Sequence, residues 1–107
     1  MPLTAVERFV LMYLYYEYGG KIYFQASGRE TPEEYVARFI AEDFLPEKHP
    51  NFQRVIKGFA EALRGLKEKG MIEMRGYEII LTPQGQGEAT AMPMQEYLEL
   101  KKKFTKT

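Results

Sequence analysis

Few side chains in this 107-residue sequence can do covalent chemistry. There is no cysteine, which excludes thiolate metal sites and disulfides. His49 is the one histidine, set between Lys48 and Pro50, and without a second histidine or a thiolate it has few means of building a metal centre. Ser27 is the one serine, so no nucleophile, base and acid can be assembled into a triad. Fifteen carboxylates are present, but nothing in the sequence sets a pair of them apart. We therefore expect a protein that binds and does not catalyse, with no cofactor. What remains is a run of hydrogen-bonding groups, Asn51, Gln53, Arg54 and Lys57, with Arg75 beyond them. An amide donates and accepts from one end, arginine offers parallel N–H donors, and lysine carries a movable point charge. On their own these residues fit an ordinary solvated helix face equally well.

The elements that must carry them follow from spacing. Thr4 is a plausible cap, and Val6, Phe9, Val10, Tyr13, Leu14 and Tyr16 recur at helical intervals until Gly19-Gly20. Lys21 to Ala26 reads as a brief strand or extended link before Ser27-Gly28. Thr31-Pro32-Glu33-Glu34 places a cap, a proline at the first helical position and a glutamate three residues after the cap, so a second helix runs to about Phe44. From Asn51, the spacing of Phe52, Val55, Ile56, Phe59, Leu63 and Leu66 draws one apolar face that ends at Gly70. Met71 to Met74 and Tyr77 to Leu81 read as a tight hairpin joined through Arg75-Gly76. Thr82-Pro83 opens a further turn or helix, and Met94 to Phe104 has the spacing of a C-terminal helix.

Net charge is zero but unevenly spread. Residues 1–47 hold four basic and eight acidic side chains, residues 48–70 six and two, and residues 71–107 five of each. A local basic field therefore surrounds the third helix. Arg64 and Lys67 alternate with Glu61 and Glu68 at spacings suited to salt bridges within the helix, and Lys101, Lys102, Lys103 and Lys106 suit a helix C-terminus. The length favours one domain, with residues 1–90 as core and wing and residues 91–107 as C-terminal helix and tail. The longest apolar run, Phe9 to Tyr16, is far short of the ~20 residues of a membrane span, and no secretory signal is readable, so a cytoplasmic protein is expected.

The segment from Ala62 to Glu73, followed by Tyr77-Glu78-Ile79-Ile80-Leu81-Thr82-Pro83-Gln84-Gly85, resembles the end of the recognition helix and the wing in winged-helix transcriptional regulators of the MarR and PadR kind. The resemblance covers roughly residues 52–88. It implies an α+β winged helix with a three-helix core, a short two-stranded wing and an added C-terminal helix. Three features depart from the pattern: the link from Leu45 to Pro50 is longer than a helix-turn-helix turn and holds two prolines, the link between helices one and two is also long, and the wing is clipped at Arg75-Gly76.

In such a fold the outward N-terminal half of the third helix enters the major groove of double-stranded DNA. The resemblance thus implies Asn51, Gln53 and Arg54 as readers of base edges, Lys57 on a phosphate, Arg75 as the wing contact and His49 near the backbone. It also implies a homodimer, formed through helix one and the C-terminal helix. The surplus aromatics of helix one, Phe9, Tyr13, Tyr15, Tyr16 and Tyr18, fit either that interface or a thick internal core. A rival expectation is a protein-interaction module that uses those aromatics and the acidic residues Glu33, Glu34, Glu42, Asp43 and Glu47.

Overall fold

A computed structural model describes residues 2–25 and 30–105. The Ser27-Gly28 boundary and Lys106 lie outside the described residues. The architecture is α+β, with five helices and one three-stranded antiparallel sheet among the described residues: α1 Ala5–Tyr18, β1 Lys21–Tyr23, α2 Pro32–Glu42, α3 Phe52–Glu68, β2 Ile72–Arg75, β3 Glu78–Leu81, α4 Pro83–Ala91 and α5 Met94–Thr105. None of the described helices is long and apolar enough to cross a membrane.

Local chemistry fixes the starts of the first two helices. The Thr4 hydroxyl accepts the Glu7 N–H at 3.1 Å while the Glu7 carboxylate accepts the Thr4 N–H at 2.8 Å, and Thr31 and Glu34 repeat the arrangement at α2. α2 stops at Glu42, two residues short of the expected Phe44. Phe44 and Leu45 instead turn into the core and anchor the link to α3. That link is a built turn: Pro46 and His49 close it through their carbonyls, and the His49 ring accepts the Asn51 N–H at 3.0 Å. α3 ends in a glycine-dependent motif, in which Gly70 at φ 76° lets its own N–H reach the Lys67 carbonyl and the Met71 N–H reach that of Leu66.

The hairpin turn is as short as the sequence suggested but lies one residue farther along. Arg75 is the last residue of β2 and pairs with Glu78, so the two-residue turn is Gly76-Tyr77. Gly76 alone has positive φ, 56°, as a turn with glycine first requires. The sheet is also not confined to the hairpin. β3 is central, with β2 on one side and β1 on the other, and Ile22 and Met74 both face Ile79 in register. Thr82 then caps α4, its hydroxyl donating to the Gly70 carbonyl at 2.6 Å and accepting the Gly85 N–H at 3.0 Å. Gly85 has no alternative at that site, because a Cβ there would stand 1.9 Å from the Met71 carbonyl oxygen.

α1 is the central element. Phe9 to Leu14 are six consecutive residues with at most 2% exposure, so every face of this helix is covered. α3 lies on one side and α5 on another. Phe9 stacks on Phe59 of α3 at 5.9 Å and on Tyr97 of α5 at 5.7 Å between centroids. Tyr16 stacks on Tyr97 and donates its hydroxyl to the Met92 carbonyl at 2.6 Å. The surplus aromatics of helix one are thus largely spent inside the molecule.

Candidate nucleic-acid interface

α3 buries Phe52, Phe59, Leu63 and Leu66 on its inner side, and this fixes what its outer side presents. Gln53, Arg54 and Lys57 are exposed on its first two turns; Asn51, at the cap position, is half-buried and its side chain makes no capping bond. The structure divides these residues between two directions. Gln53 and Lys57 line a groove against α2, together with Ile56, Ala60, Glu61 and Arg64, and Glu34 of α2 forms the opposite wall. Arg54 stands about 100° farther round the helix, one residue on from Gln53. The acidic second helix does not cover the outer face; it borders it.

Arg64 lines the same groove as Gln53 and Lys57, although in the sequence its charged helical neighbours suffice to explain it. Its spacing from Gln53 and Lys57, eleven and seven residues, is the signal that places it on the same stripe. The intrahelical salt bridges expected for Arg64 and Lys67 with Glu61 and Glu68 do not form within 4 Å. Arg64 leans into the α2 groove, and Lys67 leans toward β2, where it shares a second groove with Glu73 and Arg75. Arg75 therefore sits at the other end of α3 from Gln53. It is itself paired, with Glu73 at 2.7 Å on the same strand face.

The ion pairs fall into a pattern. Among the described residues, Arg8, Lys21, Arg38, Lys69, Arg75 and Lys101 each hold a carboxylate within 4 Å. Arg54, Lys57, Arg64 and Lys67, all on the exposed side of α3, hold none, and neither do Lys48 in the preceding turn and Lys103 near the end of α5. Over this helix the residues from Gln53 to Lys67 span about 21 Å along the axis at 1.5 Å per residue.

The acidic residues of the rival reading are partly committed elsewhere. Asp43 accepts the Tyr13 hydroxyl; burial first, and this bond next, push the Tyr13 pKa well above the usual tyrosine value. Glu34 is held below the ordinary carboxylate value by the Thr31 backbone N–H first and the Thr31 hydroxyl next, against a smaller opposing effect of burial, and the Arg64 charge adds to the lowering. Glu42 and Glu47 remain exposed. His49 acts as a turn residue through its bond to Asn51. No group of three or more histidine and carboxylate side chains able to hold a metal ion occurs among the described residues. Comparison of the chain with protein-family models, with curated proteins and with solved structures gives no match.

Proposed function

We propose that this chain is a winged-helix protein that binds double-stranded DNA by laying the exposed side of α3 in the major groove, and that it regulates transcription from the cytoplasm. The observation that carries the proposal is the row of exposed cations on α3 that have no carboxylate within 4 Å among the described residues, in a molecule whose other described helix and strand cations are mostly paired. Phosphate oxygens are the partners such a row lacks. The order α1, β1, α2, α3, β2, β3 supports a winged-helix reading, since α3 runs directly into the hairpin and β1 closes the small sheet.

Each residue then has a role. Gln53 reads an adenine edge and Arg54 a guanine edge, with Asn51 beside them at the helix start. Lys57, Arg64 and Lys67 neutralise phosphates. Arg75 reaches the backbone from the end of β2 after exchanging Glu73 for a phosphate. Dimerisation would use Met94 and Leu98, the two large apolar side chains that α5 leaves about half exposed, because α1 has little aromatic surface left to offer.

The test is fluorescence-anisotropy titration of a mixed-sequence duplex at low and moderate salt, with Arg54→Ala/Lys57→Ala as the comparison. The expected result is salt-sensitive binding that the double substitution weakens about tenfold. An absence of binding at low salt would favour an interaction module instead. The feature on that side is the aromatic groove of about 330 Å³ between β1 and α2, where Tyr23 is 71% exposed beside Phe39.

A further inference from the structure

The groove between α2 and α3 contains one charge that opposes the reading proposed above. Its α3 wall offers Gln53, Lys57 and Arg64, whereas its α2 wall offers the carboxylate of Glu34. Glu34 is exposed but not free, because its carboxylate oxygen accepts the Thr31 N–H at 3.0 Å and is thereby held at the rim of the groove. Glu61 lines the same groove from α3 with no ion pair or hydrogen bond from its side chain among the described residues, so it can swing toward solvent when an anion arrives. Glu34 can leave only by breaking its own helix cap.

The cap does not require that charge. A glutamine three residues after a threonine cap makes the same reciprocal bond with a neutral amide. The negative charge is therefore surplus to the structural role, and it stands opposite Arg64, which has no ion pair among the described residues. We infer that Glu34 is an electrostatic brake on the DNA-binding face: it engages the Arg64 charge in the free protein and repels the phosphate that Arg64 would otherwise neutralise. The inference rests on the DNA reading and adds which residue limits affinity at that site.

Glu34→Gln isolates the effect, because the capping box survives and a thermal melt will show the fold unchanged. Duplex affinity at low salt is expected to rise about threefold, the scale of one exposed charge interaction. The dependence of log K on log salt concentration is expected to steepen by about 0.9, the increment for one more neutralised phosphate. Both gains should vanish when Arg64→Ala is already present, as a double-mutant cycle requires if the two residues act on each other. If the wild type binds and Glu34→Gln binds equally or more weakly, the brake is overturned while DNA binding stands. If neither protein binds duplex in a salt-sensitive way, the DNA reading falls and the brake falls with it.

Discussion

Two sides of α1 are built to opposite rules. Toward α5 the groups at the seam find partners inside the chain: Arg8 holds Glu96 through two bonds of 2.8 and 2.7 Å, Tyr97 donates to Glu17 at 2.7 Å, and Lys101 reaches the same carboxylate. Beyond α3, on the other side, Arg54, Lys57, Arg64 and Lys67 point outward and find no ion pair among the described residues. A surface that has consumed its own charges holds the fold together. A surface that leaves them unsatisfied costs the fold little and is available to a polyanion. Substitutions on the two sides should therefore separate stability from binding.

The largest loss is expected from Tyr97→Ala. Tyr97 is 1% exposed and stacks on both Phe9 and Tyr16, so its removal empties the seam between α1 and α5. A buried aromatic cut to alanine costs about 4 kcal/mol, and a denaturant titration will measure it. Gly85→Ala comes next, although it adds only a methyl group. The new Cβ would collide with the Met71 backbone, which cannot step aside without opening the Thr82 bonds that close α4 onto α3. A loss of about 3 kcal/mol in the same titration is expected, and a change under ~0.5 kcal/mol would show that this junction is slack.

The difference between these sites also explains what could be read in advance. The caps at Thr4 and Thr31 and the exit at Gly70 are local, since each is decided by residues three to five apart, and all three were legible. The apolar period of α3 likewise exposed Gln53, Arg54 and Lys57 correctly. At Thr82-Pro83 the sequence left turn and helix both open, because Gln84-Gly85-Gln86-Gly87 carries no stripe; only Gly85 and Ala89 of α4 are buried. The pairing of β1 with β3 joins Lys21 to Ile80, and a strand of three residues holds too little alternation to announce a partner so far along the chain. At the candidate interface, the Glu34–Arg64 encounter depends on how α2 crosses α3, which no single-helix pattern contains. Arg75 and Glu73 are two apart on one strand face, a pairing that the period of two does reveal.

A pH titration sharpens the comparison from within the stable side. Glu7 is 5% exposed under α3, beside Gly65, where any Cβ would stand 1.9 Å from its carboxylate. Burial alone would raise its pKa, but the Lys69 ammonium at 2.5 Å, the Thr4 N–H and the Lys69 charge together hold it below the ordinary carboxylate value. A folded-state pKa below the unfolded value of about 4.3 contributes stability that is complete above that pH and is lost as pH falls through the folded value. Glu7→Gln should therefore be about 2 kcal/mol less stable than wild type at neutral pH, because Lys69 is left half-buried without its counter-ion. The gap should close as both proteins are taken into acid. A gap that holds constant with pH would mean that packing around Gly65, and not the charge, is what Glu7 supplies.

The smallest effect on stability is expected on the α3 face, and it completes the contrast. Arg54 and Lys57 are exposed and have no ion pair among the described residues, so their removal opens no cavity and orphans no buried group. Arg54→Ala/Lys57→Ala should change unfolding free energy by no more than about 0.5 kcal/mol. Alanine's higher helix propensity offsets most of what their solvated stems contribute. A direct check is the urea midpoint of the double variant beside that of Glu7→Gln. If the α3 variant proves the less stable of the two, then those cations are part of the scaffold, and the division between a self-paired side and an open one does not describe this molecule.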